Sequence, residues 1–230
     1  MKLPLLISVP HAGLSVPPEV RPYCALTQQE IIEDGDEGAR EVYDALRDRV
    51  AAFVTTSVAR AIVDMNRAED DRRPDGVVKT HTCWNVPVYR AFPPTDVIDA
   101  LLDRHYRPYH TLLTESAGSG VRLGVDCHTM AAKGPPIGPG PGIERPWICL
   151  CNDEGSCPQD WIKLLAECLA RAFGHEVNIN DPFRGGYIIR AHARELPWVQ
   201  LELSRAPFMS NDEKCRRVWA ALQDWCTRQR

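Results

Sequence analysis

Two histidines and a handful of carboxylates stand where β-strands would hand them to a common site. The stretch LLISVPHAG places His11 just after an apolar run that starts at Leu5. A second strand-like run, 121–127, ends in Asp126 and Cys127 with His128 next. Asp64, Asn66 and Arg67 follow a third, 52–58, and Glu202 interrupts the apolar pattern of VQLELS. Open α/β sheets carry their functional residues at the carboxyl ends of strands. Two imidazoles with carboxylates nearby are the donors a catalytic zinc ion needs, three from the protein with a fourth position open. Zinc in such a site acidifies water and polarises a carbonyl, while a neighbouring carboxylate moves protons. The spacings are long-range and no HExxH helix is present, so spacing alone does not select the ligands.

Each residue also has a plainer reading. Glu202 fits an edge strand whose Gln200, Glu202 and Ser204 face water; buried among Val199, Leu201 and Leu203, it would need a partner or a ligand. Arg67 opens a charged stretch (Glu69, Asp70, Asp71, Arg72, Arg73) typical of a solvated turn. His105 and His110 are five apart, share no helix face and read as structural. Cys127 and His128 are neighbours on a strand and point to opposite faces, which argues against a thiol–imidazole pair. Cys149, Cys151 and Cys157 lack the spacing of a zinc ribbon, and no GxSxG elbow occurs. The run GPPIGPGPGIERP at 134–146 is glycine-rich, but its prolines lack the N–H groups of a phosphate cradle.

The elements that must position these residues alternate between strand-like and helix-like, as in an α/β layered domain. Strands are predicted at 4–9, 52–58, 121–127, 146–151, 186–190 and 197–203. Thr27 with Glu30, and Ser210 with Glu213, have capping-box spacing. Helices are predicted from about 28, over 37–50, over 95–116 with a kink at Pro108, from Pro158 through Leu169, and after Ser210. The 230 residues, 44% hydrophobic, suffice for one core, and no repeat or linker divides them, so residues 1–230 read as a single domain. A net charge of −4 without a basic stripe argues against nucleic acid. No run approaches a membrane span and none has the form of a signal peptide, which gives a cytoplasmic expectation and reduced thiols for the nine cysteines.

Taken in order, SVPHAG, VDMNR, VDCHTM, NDEGSCP, FRGGYIIR and VQLELS resemble the N-formylglutamate amidohydrolase family, a likeness that runs from residue 7 to about residue 210. The resemblance implies a three-layer α/β/α fold with a central mixed sheet, similar to zinc carboxypeptidases and aspartoacylase, and one zinc ion per chain. It implies His11 and His128 as metal ligands, with Asp36 favoured as the third over Asp34 and Glu37. Asn66, Arg67, Arg184 and Tyr187 are implied as substrate-binding groups and Glu202 as the general base. The implied partner is a small N-acyl amino acid, most directly N-formyl-L-glutamate. A peptidase or a deacylase for another N-acyl amino acid, or a non-catalytic small-molecule-binding protein, would share the scaffold. RPWICLCND departs from the family pattern near RPDxxLGD, which bears on the acyl and side-chain pockets rather than on the metal centre.

Overall fold

Alternation along the central strands sorts their side chains between two cores. A computed structural model describes residues 2–118, 120–153 and 155–229, so Glu154 of the NDEGSCP stretch lies outside the described residues. The strands are β1 (Leu3–Val9), β2 (Val50–Thr55), β3 (Leu123–Met130), β4 (Ile148–Cys151), β5 (Asn178–Ile179) and β6 (Trp198–Ser204). They form one sheet in the order β2-β1-β3-β6-β4-β5. Every pairing is parallel except β4 with β6. The sheet is therefore mixed, as expected.

The helices are α1 (Gln28–Asp34), α2 (Ala39–Tyr43), α3 (Thr95–Leu101), α4 (Arg107–Ser116), α5 (Gln159–Phe173), α6 (Tyr187–Ala191) and α7 (Asn211–Arg228). On one face of the sheet, Leu5, Ile7, Val125, Cys127, Val199 and Leu201 pack against α2, α5 and α7. The opposite face meets α1, α3, α4 and α6 through Leu6, Trp198, Ile31, Leu101, Tyr109 and Ile188. Helices on both faces give the three layers. Period-two alternation then forces Ser8, Asp126, His128, Gln200 and Glu202 onto the face opposite Cys127. All eight residues of β3 and all seven of β6 are buried, since both strands lie inside the sheet.

Two sequence expectations are corrected, and one strand was not predicted. Residues 187–191 are a helix and not a strand: YII is too short a run for periodicity to separate the two. The helix expected over 37–50 is confined to α2 and a 3₁₀ turn at 44–46. The two-residue β5 carries no apolar run that could announce it. Pro108 interrupts nothing. The helical stretch 95–116 passes through a π turn at 102–106, and this wider turn makes room where proline would meet the carbonyl of the preceding turn. Thr27 and Glu30 form the full reciprocal capping box; at α7, Ser210 caps Glu213 N while the Glu213 carboxylate turns to Arg216 and Arg217. No helix among the described residues is long and apolar enough to cross a membrane.

Candidate active site

β1 and β3 lie side by side, so residues just past or at their carboxyl ends converge. His11 follows β1 and His128 is near the end of β3; their rings meet edge-on with centroids 4.8 Å apart. Asp36 arrives from the turn between α1 and α2. Its N–H donates to the His11 carbonyl at 3.2 Å, and Thr129 N–H donates to its Oδ2 at 3.2 Å. The Tyr43 hydroxyl ties α2 to the His128 carbonyl at 2.9 Å. Donor atoms of His11, Asp36 and His128 fall within 4.8 Å of one another, and all three residues are buried. Of the three acids weighed for this place, Asp34 instead accepts from Lys79 Nζ at 2.9 Å and from Cys83 N–H at 2.7 Å, and Glu37 is exposed.

The histidines are oriented alike. His11 Nε2 is 2.8 Å from Asp64 Oδ1, and His128 Nε2 is 2.8 Å from Asp126 Oδ2. A carboxylate only accepts, so each Nε2 carries a proton, and it is the Nδ1 atoms that face the centre. His128 Nδ1 lies 2.9 Å from Asp36 Oδ2, whereas His11 Nδ1 is buried without a hydrogen-bond partner, 3.5 Å from Asp36 Oδ1. An orphaned imidazole nitrogen beside a carboxylate and a second imidazole, each ring backed by a buried acid, is the donor set of a divalent transition metal such as zinc. Burial alone would raise the Asp36 carboxyl, but the His11 and His128 charges outweigh it and hold it well below the usual range. For His128, burial works downward, yet Asp126 and Glu202 hold it well above the ordinary imidazole value.

The backing acids are themselves braced. Asp64 accepts from Arg60 Nε at 3.1 Å and from Asn66 N–H at 2.9 Å, with Lys79 Nζ 3.7 Å away. Asp126 accepts from Ser8 Oγ at 2.8 Å and from Asn66 Nδ2 at 3.2 Å. Lys79 is 1% exposed, so its ammonium is held entirely by acids of this network.

Glu202 stands across from His128 in the β3–β6 register and is 6% exposed. That excludes the solvent-facing edge strand. Gly186 N–H donates to Gln200 Oε1 at 2.6 Å, which turns Gln200 Nε2 toward Glu202 Oε1 at 2.8 Å. Burial raises the Glu202 carboxyl, His128 opposes this, and Asp36 adds to it; the net effect is upward.

These groups open onto a cavity of about 360 Å³ lined by His11, Asp36, His128, Glu202, Asn66, Arg67 and Arg184 among others. Tyr187 does not line it; its ring packs 5.6 Å from His110. Asn66 is fully engaged, since its Oδ1 also accepts from Ile188 N–H at 2.8 Å. Arg67 reaches the cavity with Asp75 already bound, Nε to the carbonyl at 3.0 Å and Nη2 to Oδ2 at 3.2 Å. Gly186 lies flush against Asn66, whose amide nitrogen would be 2.1 Å from an added Cβ. The close approach this glycine permits is therefore to the protein's own amide. Cys149 and Cys151 sit with sulfurs 3.5 Å apart, and no third ligand joins them among the described residues.

Sequence reasoning noticed Asp64 and Asp126 without giving them a task, and missed Arg60, Lys79, Gln200, Arg145 and Arg205. Gln200 was legible as the same-face neighbour two residues before Glu202, and Arg205 by the strand-end rule. The proline-rich loop forms a wall of the cavity through Pro135, Ile137, Gly138 and Pro139. Its base is closed by Gly134 N–H to the Ile143 carbonyl and Arg145 N–H to the Ala132 carbonyl, both 2.9 Å.

A family profile described as N-formylglutamate amidohydrolase matches residues 3–209. The N-formylglutamate deformylase of Pseudomonas putida is 28% identical over 228 residues, covering 92% of this chain and 84% of that protein. The enzyme of the same name from Pseudomonas aeruginosa is 27% identical, covering 90% and 83%. Among solved structures, the N-formylglutamate amidohydrolase of Ralstonia eutropha JMP134 superposes with a TM-score of 0.76 at 19% identity, over 98% of this chain and 91% of that one. A gene product of Agrobacterium tumefaciens superposes with a TM-score of 0.79 at 18% identity, over 100% and 91%. These two likenesses establish a shared fold.

Proposed function

The chain belongs to the N-formylglutamate amidohydrolase family, and on that premise we propose that it is a zinc-dependent deformylase converting N-formyl-L-glutamate and water to formate and L-glutamate. One observation carries the reading: the orphaned His11 Nδ1, with Asp36 and His128 beside it and Glu202 one strand away, faces a single cavity.

His11, Asp36 and His128 would hold the zinc ion. When bound there, zinc supplies Lewis acidity toward a carbonyl and acidifies water. Asp64 and Asp126 keep both Nε2 atoms protonated, so that both Nδ1 atoms stay available as ligands. Gln200 occupies Glu202 Oε1 and leaves Oε2 to accept the proton of the attacking water. The same oxygen returns it to the departing amide nitrogen. A raised Glu202 pKa brings the base closer to the working pH, which shortens the energetic step in both transfers. Arg67, with Asp75 fixing its plane, takes a substrate carboxylate through its cavity side, and Arg184 adds positive charge on the same wall. Asn66 serves by holding Asp126 and His128 in place. Tyr187 contributes by packing behind the site on His110.

The test is formate release from N-formyl-L-glutamate by chelator-stripped protein, before and after adding one equivalent of zinc. Release that appears only with zinc is the expected result. No release from folded, metal-loaded protein refutes the substrate assignment, and a panel of other N-acyl amino acids then identifies the amide it cleaves.

A further inference from the structure

Six cationic side chains line the cavity, Arg60, Arg67, Lys79, Arg145, Arg184 and Arg205, against the carboxylates of Asp36, Asp75 and Glu202. Arg60 is held by Asp64 at 3.1 Å, Lys79 by Asp34 at 2.9 Å and Arg67 by Asp75 at 3.2 Å. Arg145 and Arg205 differ. Among the described residues neither makes an ion pair, and the Nε of each is buried with no hydrogen-bond partner.

The fold brings these two together by an inversion of strand direction. β6 ends at Ser204, so Arg205 follows its carboxyl end. β4 runs antiparallel to β6, which places the residues preceding β4, Arg145 among them, at that same edge. Both backbones are anchored next to β3: Arg205 N–H donates to the Met130 carbonyl and Arg145 N–H to the Ala132 carbonyl, each at 2.9 Å. The Arg145 guanidinium also lies 4.8 Å from the centroid of the Phe183 ring, which fixes its plane. Burial lowers the Arg145 pKa, the Glu202 charge opposes that, and the Arg205 charge adds to it. The two guanidiniums thus feel each other across the cavity wall. Buried N–H groups without acceptors, on like charges held close together, are unfavourable until an anion arrives. The planar fork of arginine matches a carboxylate through parallel hydrogen bonds.

We propose that Arg145 and Arg205 form a two-guanidinium clamp for one carboxylate of a dianionic N-acyl amino acid, and that this clamp sets the preference for acidic substrates. The proposal rests on the deformylase reading for its substrate, and its test separates the two.

The experiment compares kcat/KM for N-formyl-L-glutamate, N-formyl-L-glutamine and N-formyl-L-isoglutamine in the zinc-loaded wild type, Arg145→Met and Arg205→Met. For each variant the dicarboxylate should lose about 30-fold or more, chiefly through KM, the scale of a lost charge-assisted contact. The preference for the dicarboxylate over one of the two mono-amides should collapse by a similar factor. That mono-amide identifies the clamped carboxylate as γ if it is the glutamine derivative and α if it is the isoglutamine derivative. Equal losses on all three substrates, or a loss confined to kcat, overturn the clamp. Arg145→Lys and Arg205→Lys keep the charge without the fork and should recover part of the loss; they also serve if a methionine variant fails to fold. Calorimetric binding of glutarate gives a readout that needs no turnover. A wild type that hydrolyses none of the three yet binds glutarate, with binding lost in the variants, sinks the deformylase reading and keeps the clamp. Hydrolysis of N-formyl-L-glutamate unaffected by the variants does the reverse. A wild type that neither hydrolyses nor binds overturns both.

Discussion

Replacing Asp64 with asparagine changes one buried oxygen for an amide nitrogen and should disable the proposed metal centre without touching a proposed ligand. In the native protein, Asp64 Oδ1 accepts from His11 Nε2 at 2.8 Å and Asn66 N–H at 2.9 Å, while Oδ2 faces Arg60 Nε at 3.1 Å and Lys79 Nζ at 3.7 Å. With the amide nitrogen in the Oδ2 place, donors meet two cations. With the amide flipped, donors meet Asn66 N–H and His11 Nε2, and His11 must move its proton to Nδ1, the atom proposed as the metal ligand. Both arrangements lose. Removing one acid that orients a metal-binding imidazole lowers metal affinity by about 10- to 100-fold. The variant also leaves buried positive charge undercompensated, for which ~3–5 kcal/mol is usual. Asp34 still pairs with Lys79, and the Arg60 side chain retains 20% exposure, so the lower end, about 3 kcal/mol, is expected here. Competition against a calibrated zinc chelator measures the affinity, and urea unfolding of the stripped protein measures the stability. An Asp64→Asn protein with wild-type zinc affinity would refute the orienting role, and wild-type stability would refute the charge argument.

Three other perturbations probe different parts of the site. Glu202→Gln should bind zinc normally and lose about 10²- to 10⁴-fold in kcat, the usual contribution of a positioned general base; near-native turnover would remove Glu202 from the chemistry. If Glu202 is the base, it must be ionised to act, so kcat/KM should fall with decreasing pH through a limb that Glu202→Gln abolishes; the same limb persisting in Glu202→Gln would contradict the assignment. Gly186→Ala drives a Cβ into the Asn66 amide at 2.1 Å, so stability should drop by about 1–3 kcal/mol and kcat/KM by at least tenfold; an alanine variant with native kinetics would show that Asn66 can shift freely. His110 is pushed down from 6.5 to about 4, first by burial and then by the neighbouring His192. The unfolded chain binds that proton from about pH 6.5 downward while the folded one does not, so stability falls as pH drops from there to about 4. The total is about 3 kcal/mol. In His110→Gln, urea unfolding across that range should show this component gone, and an unchanged slope would place the lost stability elsewhere.

The central strands were legible because each is a short apolar run bounded by polar or turn residues. The strand-end rule singled out His11 and His128 as candidates, but a histidine after a strand is more often an ordinary loop residue, and only the ordered motifs of the family resemblance implied them as ligands. Among Asp34, Asp36 and Glu37 the family resemblance favoured Asp36, which the structure places beside both histidines, but residue type and spacing alone did not separate the three. That choice depends on the turn between α1 and α2, whose shape is set by hydrogen bonds to His11 and Thr129 from distant strands. The same is true of α6: Asn66 Oδ1 accepts the Ile188 N–H across 122 residues of chain, a tertiary cap no local pattern encodes. Arg67 could be found by motif, but Asp75, its partner eight residues on, lay in a turn where any charge looks solvated. Arg145 was hidden by direction. The rule that strands deliver function at their carboxyl ends fails for β4, which runs the other way and delivers what precedes it.

The closed base of the proline-rich loop has a consequence for how this protein can change. Gly134 and Ile143, then Ala132 and Arg145, tie the two legs of the loop together before either reaches the sheet. The segment 135–142 is thus a cassette hung on a clasp, with one further tie from Ile137 N–H to the Cys83 carbonyl at 3.0 Å. Its length and composition can vary without transmitting strain to β3 or β4, because the clasp absorbs the difference. Yet the cassette supplies a wall of the cavity, and Arg145 stands just downstream of it in the clasp. Exchanging the cassette while keeping the clasp is therefore a route to altered substrate range with the His11, Asp36 and His128 cluster unaltered. Diversification among chains of this architecture should concentrate there, while the three donor residues stay fixed.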